Sequence, residues 1–326
     1  VVLGDGPAGG FPNLRFAVPA ELPSLVRLLR RERPLRVEFH HLLGHAPDLM
    51  ALPNLLGVPY RVSVHDYGWF CPRLVLVGGN GRYCGEPDVV DCETCVADHG
   101  RYMAEEMSVA AVRARSARFL AAAERVEVPS RDVAVRLARY FPELDPAIMP
   151  LEAEPEAVPA RRPPRGGSLR VCVVGAIGVE KGYDVLLGAA RDAARRRLPL
   201  DFVVVGHTID DQRLLATDRV FVTGPYRPDE VETLIRAQGA DLALLPSVTP
   251  ETWCFTLTEA WRAGLDVAAF DFGAQAERIR RAGRGWLLPP GINAAALNDA
   301  LLAIPQQTGH EWSGQAATFD CALMPS

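Results

Sequence analysis

The chain has 326 residues, enough for about two domains at roughly 150 residues each, and it is 48% hydrophobic and 23% charged. That balance excludes a mainly disordered chain, a collagen and a coiled coil, and no apolar run reaches the roughly 18 residues of a membrane span. The net charge of −5 argues against a broad basic surface, so no nucleic-acid partner is expected.

In chain order, the sequence opens at Val1 with no visible signal peptide, and it reads as a fragment or a processed product. Gly4-Asp5-Gly6-Pro7-Ala8-Gly9 matches G-x-G-x-x-G. We read it as a loop, because only three residues precede it and Pro7 and Pro12 prevent a helix from opening after it. Helices are expected at 19–31, 104–123 and 131–140. Strands are expected at Leu35–Phe39, Tyr60–Val64, Arg125–Val128 and Ala147–Met149. These elements make a small α/β unit over 1–151 that lacks its first strands, with a cysteine-rich insertion at 71–95. Residues 152–168 hold four Pro and two Gly without periodicity and read as a linker.

Over 169–326 the rhythm is cleaner. Strands are expected at Leu169–Ala176, Asp201–Gly206, Arg219–Thr223, Asp241–Pro246, Asp266–Phe270 and Gly285–Leu288. Helices are expected at 182–197, 228–238, 256–263, 275–282 and 293–303. The alternation predicts a doubly wound parallel sheet. The fold class is therefore α/β, with two Rossmann-like domains enclosing a cleft at the carboxyl ends of their strands, where ligands of such sheets bind. The tail after Ile304 has no clear periodicity and receives no assignment.

Glu251 and Glu259 form the strongest pair in the chain, in PETWCFTLTEAWRAG. A helix starting near Phe255 puts Glu251 in the loop and Glu259 inside the helix. The N–H groups of Phe255, Thr256, Leu257 and Thr258 are then open to an anion such as a diphosphate. A carboxylate one or two turns in suits the hydroxyls of a ribose. A plain surface helix with two solvated glutamates is the competing reading. Lys181, in Gly178-Val179-Glu180-Lys181-Gly182, follows the first strand of this domain and is the chain's single lysine among 35 basic residues. Its compact ammonium suits a diphosphate whose charge grows as it leaves.

Three ordered segments, VVGAIGVEKGYDVLL, VTGPYRPDE and LLPSVTPETWCFTLTEAWRAG, together resemble the retaining GT-B glycosyltransferases of family 4 (glycosyl transferases group 1), with their E-x7-E signature. The resemblance covers about 169–303. It implies that Glu259 binds the donor ribose, that Glu251 contacts the transferred sugar, and that the amides at Phe255–Thr258 hold sugar and diphosphate. It also implies that Gly175 belongs to the substrate-binding set and that Lys181 is the family's phosphate-binding lysine. Base contacts are implied near Gly224–Arg227 and Pro246–Ser247. The sequence departs from the family at two places. Cys254 stands where glycine is usual, and Ala176 or Ile177 stands where an arginine usually accompanies the lysine. Arg262 and Arg227 are candidates to replace it.

In the first domain His65 and Asp66 end the strand Tyr60–Val64. The resemblance makes His65 the histidine that positions the transferred sugar or assists the acceptor's proton, with Asp66 orienting it or binding acceptor. His40, His41 and His45 follow Leu35–Phe39; they read as polar lining residues rather than as metal ligands. Cys71, Cys84, Cys92 and Cys95 have spacing suited to a structural zinc, with disulfides or unlinked thiols as alternatives. The cofactor expectation is none for catalysis and a structural zinc as the one metal considered.

The resemblance implies a retaining glycosyltransferase that moves a sugar from a nucleotide-sugar donor to a glycan or lipid-linked acceptor in polysaccharide or lipopolysaccharide synthesis. The expected location is cytoplasmic, with peripheral association at the inner membrane face considered. A sugar-nucleotide epimerase of the same fold, and a catalytically silent nucleotide-sugar or glycan-binding module, remain open. The second is kept because the family's glycine-rich loop after the first strand is not found here.

Overall fold

The computed structural model describes residues 2–6, 9–103, 106–155 and 167–304. The chain divides into two compact units. One comprises Val1–Leu76 and Gly85–Met149, and the other Val77–Cys84 and Pro150–Ser326.

The first unit opens with an antiparallel pair, β1 (Val2–Gly6) and β2 (Gly9–Arg15). Gly4, Gly6 and Gly9 of the G-x-G-x-x-G match therefore lie in paired strands, with Gly6 opposite Gly9, where a loop was expected. There follow α1 (Leu22–Arg31), β3 (Val37–Phe39), α2 (Leu52–Leu56), β4 (Tyr60–Ser63), α3 (Val89–His99), α4 (Val109–Ala121), β5 (Arg125–Val128), α5 (Arg131–Tyr140) and β6 (Ala147–Ile148). Strands β3-β4-β5-β6 form a parallel sheet in chain order. Helix α3 begins inside the cysteine-rich insertion, where no helix was expected, and runs past its end. Its start is fixed by Asp88, whose side chain accepts hydrogen bonds from the amides of Val90 and Asp91.

The second unit contains β7 (Leu169–Ile177), α6 (Tyr183–Arg196), β8 (Leu200–Thr208), α7 (Asp211–Leu215), β9 (Val220–Val222), α8 (Val231–Ala237), β10 (Leu242–Leu245), α9 (Phe255–Arg262), β11 (Val267–Phe270), α10 (Gly273–Ala282), β12 (Trp286–Leu288) and α11 (Ala294–Ala303). Its six parallel strands run in the order β12-β11-β10-β7-β8-β9. This is the doubly wound order, with the winding reversing between β7 and β10. The central strands are apolar on both faces because helices cover both. All four residues of β10 are buried, and Val171, Cys172 and Val173 of β7 are fully buried.

Two segments join this unit from outside the expected boundaries. Val77–Cys84, from the insertion, is held by Arg82, which donates to the carbonyl of Gly291 at 2.9 Å, and by the Tyr83 ring, 5.7 Å from that of Phe272. Glu152 and Glu154, expected in a linker, are anchored by Thr258 of α9 and Arg278 of α10. The greater part of that linker, 156–166, and the tail beyond Ile304 lie outside the described residues. Among the described residues no helix is long and apolar enough to cross a membrane.

Candidate functional site

Two loops meet at the point where the winding of the second unit reverses. One runs from β7 to α6, the other from β10 to α9. Neighbouring strands that send their helices to opposite faces leave a crevice at their carboxyl ends.

The loops are fastened to each other through the backbone. The amide of Val248 donates to the carbonyl of Glu180 at 3.0 Å, and Ser247 Oγ donates to the same carbonyl at 3.1 Å. Gly182, at φ +85°, sits so close that a Cβ there would lie 1.9 Å from the carbonyl oxygen of Pro246. Only glycine permits that approach.

This clamp brings together the two charged residues singled out from the sequence. Lys181 Nζ lies 2.7 Å from Glu251 Oε2, with the lysine side chain 38% exposed and the glutamate 12%. Burial works against the ammonium, but Glu251 outweighs it and raises the lysine pKa above its ordinary value. The main chain of Glu251 is gripped by α10. Its amide donates to Gln275 Oε1 at 3.1 Å, and its carbonyl accepts from the amide of Ala274 at 2.9 Å.

Helix α9 begins at Phe255, and no side chain caps it. The first-turn amides of a helix have no partners within it, so Phe255, Thr256, Leu257 and Thr258 present N–H groups and the positive end of the helix dipole. Leu257 and Thr258 are fully buried, and the backbone of Leu257 bonds to the Cys254 side chain, so the accessible part of this first turn is at Phe255 and Thr256. A Cβ on Gly175 would stand 3.5 Å from Thr256 Cγ2, which places the end of β7 against this first turn. Cys254, where the family has glycine, adopts the left-handed conformation that glycine takes easily, with φ 72° and ψ 82°. Its thiol is buried, and burial pushes its pKa up to about 12.

One turn into α9, Glu259 Oε2 is buried without a hydrogen-bond partner among the described residues. Burial raises the pKa of this carboxyl, Glu152 adds to the rise, and Arg262 opposes it. A buried carboxylate oxygen left unpaired is costly in an empty site and favourable once a hydroxyl donor arrives. Burial also pushes Tyr226 up to about 12, with the charge of Glu259 contributing. This links the Gly224–Arg227 segment to the same helix.

The residue that holds the site from behind is Arg278 of α10, which sequence reasoning missed. It is fully buried. Its Nη1 donates to the carbonyls of Trp253 at 3.1 Å and Cys254 at 2.8 Å, and its Nη2 donates to Thr258 Oγ1 at 2.5 Å. Nε and Nη2 bind the two carboxylate oxygens of Glu154 at 3.0 and 2.9 Å, and the guanidinium lies 4.0 Å from the Trp253 ring centre. Glu152 completes the cluster, accepting from Trp253 Nε1 at 3.2 Å and from Thr258 Oγ1. The available signal was periodicity. Arg278 is four residues after Ala274, on the face of α10 that also buries Ala274, Gln275 and Ile279.

Neither candidate for the missing arginine is unengaged. Arg227 pairs with Asp229 at 2.9 Å, and Arg262 lies 3.7 Å from Glu152.

In the first unit, His65 and Asp66 follow β4 after Val64. His65 Nε2 is 2.9 Å from His40 Nδ1, and the two rings stack. Burial and then His40 lower the pKa of His65, which favours the neutral imidazole. Asp66 Oδ1 accepts from the amide of Gly68 at 2.8 Å, and burial raises its pKa. His41 and His45 stack on each other at 5.3 Å.

The four cysteines are not gathered into a ligand set. Among the described residues no three His, Cys, Asp or Glu side chains are grouped so as to hold a metal ion. Cys92 and Cys95 lie on helix α3, one turn apart, rather than in the tight turn that a zinc knuckle uses. Cys92 Sγ accepts from Arg113 at 3.2 Å. Cys71 belongs to the first unit and Cys84 to the second.

Residues 156–310 match the family model "Glycosyl transferases group 1". No curated protein matches the chain. Solved structures match most of it. HepE (Alr3699) of Anabaena, in complex with UDP and glucose, aligns at a TM-score of 0.58 with 14% identity, covering 93% of this chain and 77% of that one. The lipopolysaccharide outer core galactosyltransferase WaaB aligns at 0.56 with 14% identity, covering 91% and 71%. Sucrose-phosphate synthase from Thermosynechococcus elongatus aligns at 0.56 with 16% identity, covering 93% and 74%. The fold is that of these proteins: α/β with two Rossmann-like units, the GT-B fold.

Proposed function

We propose that this chain of GT-B fold is a group 1 glycosyltransferase and a retaining enzyme that moves a hexose from a nucleoside diphosphate donor to a glycan or lipid-linked acceptor, in polysaccharide or lipopolysaccharide synthesis at the cytoplasmic face of a membrane. The carrying observation is the meeting of Lys181 and Glu251 beside the uncapped start of α9, with the unpaired Glu259 oxygen one turn further in. One cation, a helix start and an unsatisfied acceptor one turn further in suit a phosphate group and a ribose. The binding of UDP and glucose by HepE supports a donor of this class.

In this reading the bond from the anomeric carbon to the diphosphate oxygen breaks, and the acceptor oxygen bonds to the same face of that carbon. The acceptor's proton passes to the departing phosphate oxygen. Lys181 and the α9 amides stabilise the charge that develops on the diphosphate, an interaction stronger in the transition state than in the ground state. Glu259 accepts from the ribose hydroxyls. Glu251 holds the ammonium in the empty site and accepts from the hydroxyls of the transferred sugar. His65, neutral and steadied by His40, donates to that sugar, and Asp66 orients the acceptor side.

The test is a transfer assay with a panel of nucleotide sugars and oligosaccharide or polyprenyl-phosphate acceptors, reading the anomeric configuration of the product by NMR. A product with the donor's configuration supports the proposal. An inverted product defeats retention. Donor binding with no transfer to any acceptor favours a silent binding module, and interconversion of sugar nucleotides without acceptor favours an epimerase.

A further inference from the structure

The loop between β10 and α9 contains an internal conflict. Cys254 occupies a left-handed conformation that a side chain disfavours, with its thiol packed in the core. Left to itself, this residue would relax and turn the peptide groups on either side of it. Those are the groups whose N–H bonds open helix α9.

Arg278 prevents that rotation. It is fully buried, and one of its nitrogens donates to the carbonyl before Cys254 and to the carbonyl of Cys254 itself. In a trans peptide the C=O and the following N–H point in opposite directions. Fixing the carbonyls of Trp253 and Cys254 toward the guanidinium therefore turns the amides of Cys254 and Phe255 away from it. A second nitrogen holds Thr258 Oγ1, in the first turn of α9. Glu154 and the Trp253 ring keep the guanidinium itself in place. The usual family glycine needs no such brace, because it adopts this backbone without strain.

We propose that Arg278 is a positioning residue for the donor diphosphate: it holds the Trp253–Cys254 backbone so that the amides at the start of α9 face the anion despite the cysteine at position 254. The inference rests on the reading of α9 as the diphosphate site. The expected effect falls on diphosphate binding and not on nucleoside binding, because Glu259 is carried by the helix body.

The experiment compares a nucleoside diphosphate with its parent nucleoside, using the pair that the wild type binds among ADP, GDP and UDP. Affinities are read by titration calorimetry or ligand-observed NMR on the full chain, with circular dichroism confirming the fold. In Arg278→Lys the diphosphate should bind at least tenfold more weakly while the nucleoside stays within twofold. Adding Cys254→Gly should recover at least threefold of that loss, because glycine removes the need for the brace. Should Arg278→Lys not fold, Glu154→Gln, which loosens the guanidinium without removing it, should show the same selectivity with about a threefold loss. Equal losses for nucleoside and diphosphate, no loss for either, or no recovery with glycine would overturn the inference. A wild type that binds none of the three diphosphates would overturn the functional reading, and the inference with it.

Discussion

Lys181 and Glu251 are 70 residues apart in the chain and 2.7 Å apart at Nζ and Oε2. The backbone clamp between Glu180 and Val248 sets that distance. The ion pair is partly exposed, so its worth to stability is small, about 1 kcal/mol or less. Its consequence is local: the only lysine of the chain is held at the reversal point of the sheet. Lys181→Ala should lower kcat for donor turnover a few hundredfold, about 3–4 kcal/mol of barrier, with little change in unfolding temperature. Steady-state kinetics with thermal unfolding checks both, and near-normal turnover would remove Lys181 from the mechanism.

Glu259 invites a trade between stability and binding. Its folded pKa is raised above its ordinary value of 4.5 by burial and by Glu152. The stability linked to its proton is therefore fully present below the unfolded value and lost as pH rises through the folded one. Once ionised, Glu259 is a buried charge with one oxygen unpaired among the described residues. Glu259→Gln should raise the unfolding midpoint at pH 7 by roughly 2 °C, narrow that difference at pH 4, and weaken nucleoside binding at least tenfold. Calorimetry at the two pH values, with and without nucleoside, decides this. A drop in the midpoint at pH 7 would show that the carboxylate is satisfied in the empty protein.

Glu154 behaves in the opposite sense. Burial resists its charge, but Arg278 and Arg281 hold its carboxyl below the ordinary value. Its contribution is present above the unfolded pKa and lost as pH falls through the folded one. Glu154→Gln should therefore destabilise the protein at pH 7 by about 3 kcal/mol, because it leaves a buried guanidinium short of its partner, and the penalty should shrink toward pH 3. Denaturant unfolding at the two pH values measures it.

His65 sets an acid limit. Burial and His40 hold its pKa below 6.5, so the neutral ring persists into mildly acidic solution. If neutral His65 serves the transferred sugar, kcat/KM falls only well on the acid side. His40→Ala removes a neighbouring like charge and should move the acid limb to higher pH. A limb that stays in place in His40→Ala, or that persists in His65→Ala, assigns it to another group.

The cysteines give a metal prediction. Because Cys92 and Cys95 are built into α3 and the four thiols are not gathered, extended chelation should change neither the unfolding midpoint nor donor turnover. A midpoint that drops on chelation and recovers with zinc would restore the tetra-cysteine site.

Sequence periodicity carried most of the framework. The continuous apolar strands of the second unit and the E-x7-E spacing were legible because each depends on neighbours a few residues away. Helix α3 was not, because it buries only Val96 and so shows no apolar stripe, and only the Asp88 cap marks its start. The hairpin Val2–Arg15 escaped because its two prolines, Pro7 and Pro12, read as breakers. The sequence by itself determined the doubly wound pattern, the lysine at the end of β7, and the two glutamates flanking the start of α9. Tertiary structure alone decided that Lys181 meets Glu251, that Glu259 keeps one oxygen unpaired, and that Arg278, Glu152 and Glu154 brace Cys254. Those relationships join residues up to 124 positions apart. No local pattern encodes which buried charge will find which partner, because that choice is made by packing and by the cost of leaving a buried polar group alone.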